Sequence, residues 1–231
     1  MFNYASPIDY LAVATFLVCW IGYTYFADHR SAGGSNLMTV MHGVRKRWMM
    51  QMLKRDNRMV DTNIMSTQMR SVGLFASTSI FIMAGLVAIL GAVDEAIAVA
   101  SNFPLLAVQA SSKMWEIKVI LLLIIFAYSF FKFAWALRQF NYTLAAIGSA
   151  PLVEELQGTG EEIAERLAKV SSLAVKSFNR GIRAYYFGLA TLTWVAHPLF
   201  FILSSVWVVL VLYRREFRSK ILHELLSDER E

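Results

Sequence analysis

The sequence predicts an all-α integral membrane protein. It is read as a helical bundle of four spans, with a basic Met-rich amphipathic helix and a soluble helix on the cytoplasmic side. Three observations carry this. Apolar residues make up 57% of the 231 positions, above the roughly 45–50% of soluble domains. Mean hydropathy is +0.48, and the excess is concentrated in four blocks. Between the first two blocks lies Arg45–Arg70, whose clustered Lys and Arg residues indicate which side of the bilayer is cytoplasm. A single membrane domain over 1–231 follows, with spans at about 8–26, 71–93, 117–137 and 187–212 and helical segments at about 36–70 and 152–181.

Ser6-Pro7-Ile8-Asp9 reads as a helix start, with Ser6 as N-cap, Pro7 in the first turn and Asp9 near the unpaired amides. The run that follows lacks a positive leader and a small-residue cleavage site, so it is expected to be a retained span. Ser31–Gly34 reads as a joint, and Ser35 or Asn36 as the cap of the next helix. In that helix Arg47, Gln51, Lys54, Arg58 and Asp61 share one face. Met41, Val44, Trp48 and Met52 share the other, with Met49, Leu53, Val60 and Ile64 one stripe over. Such a helix lies along a membrane or clamps onto neighbouring helices. Asp56-Asn57 interrupts the apolar stripe, as a helix joint or a buried polar contact. Eight of the eleven methionines fall in Met38–Met69 beside His42. Without a repeated Met-x-Met or Met-x-x-Met series joined by further His or Cys, they are read as packing residues in preference to a Cu(I) site.

Ser77-Thr78-Ser79 in the second span are expected to back-bond to their own helix. Asp94-Glu95 closes that span, and Ala96–Ala110, broken at Asn102-Phe103-Pro104, is placed at the opposite interface. Lys132 in the third span is expected to snorkel beside Trp135. Beyond Pro151, Ile163, Leu167, Val170, Ala174 and Phe178 form an apolar stripe, with Glu165 and Lys169 as an i,i+4 pair. His197-Pro198 cuts the last block, as a kink or a re-entrant turn.

The basic residues concentrate in the first and third connections, which places both in the cytoplasm and the N-terminus outside a bacterial inner membrane. Four plain spans would then send the tail outside despite Arg214, Arg215, Arg218 and Lys220. A re-entrant hairpin at His197-Pro198 would return it.

The net charge is +5, but the basic residues flank apolar spans, so anionic headgroups are the expected partner and nucleic acid is not. Cys19 is the only cysteine, which rules out an internal disulfide. No zinc spacing, P-loop, G-x-S-x-G, His-Glu-x-x-His or dinucleotide motif is present. No catalytic residue, metal or cofactor is assigned.

The candidate ligand site is Arg138, Asn141, Tyr142, Asn179, Arg180 and Arg183, placed at one cytoplasmic level by the ends of spans three and four. These residues could hold a lipid headgroup, an anionic solute or a carboxylate such as Asp61. Asp56, Asp61 and His197 are candidate polar contacts.

Several segments carry a family resemblance. They are Trp20-Ile21-Gly22-Tyr23, Arg47-Trp48-Met49, Asn57-Arg58-Met59-Val60-Asp61, Arg138-Gln139-Phe140-Asn141-Tyr142, Phe178-Asn179-Arg180-Gly181, Arg183-Ala184-Tyr185-Tyr186 and His197-Pro198. Together they resemble a bacterial and plant membrane family catalogued as a domain of unknown function, number five hundred and ninety-nine. The resemblance implies a multi-span membrane protein and supplies no activity.

The functional expectation is a membrane scaffold, accessory or lipid-interacting protein, expected as a homo-oligomer. The alternatives are a small oligomeric channel or transporter, and then a haem protein using His197. Transport requires polar groups converging within the bilayer; a scaffold requires an apolar patch outside it.

Overall fold

The computed structural model describes residues 6–30, 36–102, 111–152, 154 and 158–227, and among these every regular element is a helix. The expected joint at Ser31–Gly34, the Ser35 cap and the break at Phe103-Pro104 lie outside the described residues.

Helix α1 (Pro7–Leu17) begins as its sequence suggests: Ser6 donates through its backbone N and Oγ to Asp9 Oδ2, at 3.0 and 2.6 Å. It continues through one π-helical stretch (Val18–Gly22) into α2 (Tyr23–Arg30). Asn36 caps α3 (Leu37–Leu53), its Oδ1 accepting from Thr39 N at 2.9 Å. The segment 36–70 is not one helix. It breaks at Lys54–Arg58, where Asn57 Oδ1 accepts from Met59 N and starts α4 (Met59–Gly91). The second span is therefore the far part of a longer helix. Thr78 and Ser79 bond back to the carbonyls of Leu74 and Phe75.

Helix α5 (Val93–Ser101) is short; α6 (Ser112–Gly148) and α7 (Gly160–Leu192) are long. At about 1.5 Å per residue α6 runs some 55 Å, well beyond a hydrocarbon core of about 30 Å. Arg58 closes its far end, donating to the carbonyl of Ile147 in the last turn and to those of Ala150 and Pro151 just beyond it.

The expected span 187–212 is two helices. Helix α7 stops at Leu192, a 3₁₀ turn covers Thr193–Val195, and α8 (Pro198–Phe217) runs back beside it. Pro198 has no N–H to lose in the first turn, and His197 is extended at φ −162 with Nδ1 accepting from Leu199 N at 3.1 Å. His197 therefore caps a turn; it neither donates to a freed carbonyl nor stands within a span.

Helix α6 lies at the centre, packed on α4 along one side and on α7 along another. Its pairing with α7 is antiparallel and stays in step throughout. Ser177 donates to Gln139, Ser129 donates to the Gly181 carbonyl, and Lys118 Nζ donates to the Trp194 carbonyl. The last of these is 2.8 Å long, and Trp194 Nε1 in turn donates to Asp9 at 2.8 Å. The starts of α1 and α6 and the end of α7 thus meet at one end of the bundle. Val93, Ala100 and Trp115 pack with Val195 at that end as well.

At the other end, the basic end, α3 packs antiparallel on the first half of α7. His42 and Lys46 reach Glu165 and Glu161, while Met49, Met52 and Leu53 are buried against α6, α7 and the start of α4. Between the two ways of using such a helix, this one clamps onto its neighbours. Helix α9 (Lys220–Ser227) packs on α3, so the C-terminal tail shares the basic end.

Four helices are long and apolar enough to cross a membrane: Pro7–His29, Met59–Gly91, Ser112–Gly148 and Pro198–Leu226. Their outward faces agree. Ile117, Ile120, Ile124, Phe131 and Trp135 form an exposed stripe on α6, and Leu199, Leu203, Val206, Trp207 and Leu210 form one on α8. Stripes of this size have no place in water and suit lipid tails. The chain is a multi-pass membrane protein.

Candidate functional site

A network of buried charged groups sits where α2, α7 and the end of α8 meet. Arg180 and Arg183 are three residues apart on α7, and therefore neighbours on one face. Arg180 donates to Asp28 Oδ2 through Nε at 2.7 Å, with Nη2 at 2.5 Å. Arg183 spans two carboxylates: Nη1 lies 3.1 Å from Asp28 Oδ1, and Nε and Nη2 lie 2.9 and 2.8 Å from Glu216 Oε1. Tyr23 Oη donates to the other Glu216 oxygen at 2.9 Å, and the Arg183 guanidinium lies over the Tyr23 ring. The Arg183 side chain is only 7% exposed and that of Asp28 11%. Charges this buried persist only when paired and hydrogen-bonded, and both conditions hold here.

This network separates two hollows. On one side a groove of about 670 Å³ runs between α1–α2, α6 and α7. Its apolar wall is Leu17, Trp20, Ile21 and Tyr25; its polar end is Asp28, His29, Lys176 and Arg180, with Tyr128 between. Lys132 stands over the Tyr128 ring at 5.1 Å. The apolar wall includes the π-helical stretch, a widened turn that recurs at functional sites. On the other side a cavity of about 230 Å³ lies under α3, with Asp28, Arg183 and Glu216 on one wall and Arg45, Lys176 and Asn179 on the others.

Charges beyond the network follow the same geometry. Arg45 donates to Ser172 Oγ at 3.2 Å, and no carboxylate among the described residues lies within ion-pair distance of it. Burial without an acid partner pulls its guanidinium down to about 10. Glu165 shows the reverse balance: burial raises it, but hydrogen bonds from Lys169 and His42 outweigh that and hold it below the usual range.

The family described as Protein of unknown function, DUF599, matches residues 11–221. The chain belongs to this family. No curated protein and no solved structure matches it.

In this DUF599 protein the six expected ligand residues divide. Arg180 and Arg183 come together on Asp28, and Asn179 lies beside them on the cavity wall, its Nδ2 4.0 Å from Met38 Sδ. Arg138, Asn141 and Tyr142 do not join them. Arg138 Nε donates to Tyr142 Oη at 2.6 Å on an outward face of α6, and Asn141 is exposed. The reason is helical phase: Ser129, Phe133, Ala136, Phe140 and Thr143 take the inward face, so positions 138, 141 and 142 turn away. Asp56 is exposed in the bend after α3. Asp61 is fully buried, but its partners are Trp48 Nε1 at 2.7 Å and Arg55 Nη1 at 2.6 Å, not the α7 arginines.

Asp28, Glu216 and Tyr23 are the network residues the sequence did not reveal. Asp28 and Glu216 each look like the polar end of a span. Lys118, buried in an apolar run, was legible as an intramembrane charge with a partner to find. His29 lies near the end of α2 and His197 at the turn before α8. Among the described residues no group of three His, Cys, Asp or Glu side chains could hold a metal ion.

Proposed function

We propose that this protein binds an anionic phospholipid in the groove between α1–α2, α6 and α7, with its phosphate at Arg180 and Lys176 and an acyl chain along Leu17, Trp20, Ile21 and Tyr25. The observation that carries this is the groove's polarity. One end is cationic, and the wall from Leu17 to Tyr25 spans about 12 Å at 1.5 Å per residue, most of one leaflet. Arg180 can offer guanidinium donors to a phosphate while keeping contact with Asp28, and Lys176 adds a point charge. The transporter reading has less support, because the ion pairs gather near the basic end and not at mid-depth.

The test is lipid retention in native mass spectrometry after reconstitution with phosphatidylglycerol and phosphatidylcholine. The double variant Lys176→Gln, Arg180→Gln is expected to lose about tenfold in phosphatidylglycerol retention. Arg218→Gln, which removes one exposed charge, should change it little. Equal losses in the two variants would reduce the site to diffuse surface charge.

The orientation belongs to the same proposal. With the basic end in the cytoplasm of a bacterial inner membrane and the N-terminus outside, α1–α2, α4, α6, the second half of α7 and α8 make five crossings. What supports the fifth is the Lys118–Trp194–Asp9 cluster at the end of α7, placed opposite the basic end. Five crossings bring Arg214, Arg215, Arg218 and Lys220 to the same side as α3, as the positive-inside rule requires. In a Cys19→Ala background, cysteines at Thr159 and Ser227 should react with an impermeant reagent only in opened spheroplasts, and one at Ser101 in intact ones. Labelling of the Ser227 cysteine in intact spheroplasts would restore four crossings.

A further inference from the structure

The cavity under α3 carries more positive charge than its acids balance. Four cations, Arg45, Lys176, Arg180 and Arg183, stand at or beside it against two carboxylates, Asp28 and Glu216. Those two carboxylates are taken up by Arg180 and Arg183. Arg45 and Lys176 have no acid partner among the described residues.

We propose that this cavity is a binding site for a small soluble oxyanion, with phosphate as the type ligand, held by Arg45 and Lys176 and completed by Asn179. A guanidinium has five N–H donors, and Arg45 spends one hydrogen bond on Ser172. The remainder are free to serve an anion in a two-point contact. Asn179 offers an amide whose partner among the described residues is the weak acceptor Met38 Sδ. The cap of α3, Asn36, stands on the same wall and brings the positive end of that helix to it. At about 230 Å³ the cavity has room for a tetrahedral anion and several waters of about 30 Å³ each. Met38 and Met41 also line it, but four neighbouring cations oppose a copper ion there.

The cavity shares Asp28 and Lys176 with the proposed lipid groove, and Arg45 and Arg180 tell the two apart. Arg45, on α3, lines the cavity and not the groove, while Arg180 lines the groove and not the cavity. The two readings can fail independently.

Titration of the intact protein, in a zwitterionic detergent at constant ionic strength, with inorganic phosphate tests the proposal by calorimetry. Saturable binding is expected in the parent and should weaken about tenfold or more in Arg45→Gln, with little change in Arg218→Gln. Arg45→Lys keeps the charge without the fork; it should melt like the parent and recover part of the affinity. Absence of saturable phosphate binding, or equal affinity in parent and Arg45→Gln, overturns the proposal. Displacement of phosphate by phosphatidylglycerol also overturns it, since the cavity would then be the head end of the lipid groove. Phosphatidylglycerol retention without phosphate binding leaves the groove and removes the cavity.

Discussion

Replacing Arg183 with Met is expected to lower the melting temperature by about 10 °C, reflecting a loss of about 3–5 kcal/mol. Arg183 supplies three of the contacts that neutralise Asp28 and Glu216 in the interior of the bundle. Without it, among the described residues Glu216 keeps only the Tyr23 hydroxyl and Asp28 only Arg180. The cost is that of leaving a carboxylate buried and unpaired, not the net worth of the pair. Combining Arg183→Met with Glu216→Gln should therefore recover part of the loss, because the stranded charge is gone. Thermal unfolding followed by loss of the monodisperse peak in detergent measures both. A single variant that melts within about 2 °C of the parent would show that water reaches the network.

Gly181→Val is expected to separate α6 from α7 and cost more than about 3 kcal/mol, well above an ordinary helix substitution. A Cβ at position 181 would come within 2.5 Å of Phe133 Cε1, with Cδ1 at 2.8 and Cζ at 2.9 Å. That ring cannot swing aside. It is fully buried, with Phe75, Phe178 and Tyr185 all within 5.6 Å centroid to centroid. The same backbone site accepts the Ser129 hydroxyl at 2.8 Å, so forcing the helices apart also strands a buried donor. Gly73 makes the contrast: nothing lies within 4 Å of a Cβ there. Gly73→Ala should stabilise by about 1 kcal/mol through helix propensity alone. Adding Phe133→Leu to Gly181→Val should restore stability beyond additivity, and simple additivity of the two losses would refute the steric account.

Of the candidate site, the sequence made legible the two residues whose charge and spacing belong to one helix. Arg180 and Arg183 announce themselves on α7. Their partners Asp28 and Glu216 do not, because they lie 152 residues before Arg180 and 33 after Arg183 along the chain. At both positions an acid at the end of an apolar run has a sufficient local explanation. For Arg138 and Tyr142 the reading left out helical phase, which turns both to an outward face of α6. Reading which of 138–143 faces inward needs the neighbour's position, although the apolar run Phe133, Ala136, Phe140 carries that phase.

The sequence by itself determined the helical class, the apolar spans, the starts of α1 and α3, and the grouping of basic charge. Each of these follows from local propensity, capping and transfer of side chains from water, terms that act over one or a few turns. Only the tertiary structure decided that 187–212 divides at His197, that α7 runs back beside α6, and that the tail meets α3. It also decided that a groove and a cavity flank one ion-pair network. These depend on which helix faces fit one another. Gly181 admits Phe133, Lys118 reaches the Trp194 carbonyl, and Arg183 bridges two carboxylates from different helices. Such terms exist only when distant segments are already side by side, so no stretch of the chain carries them alone.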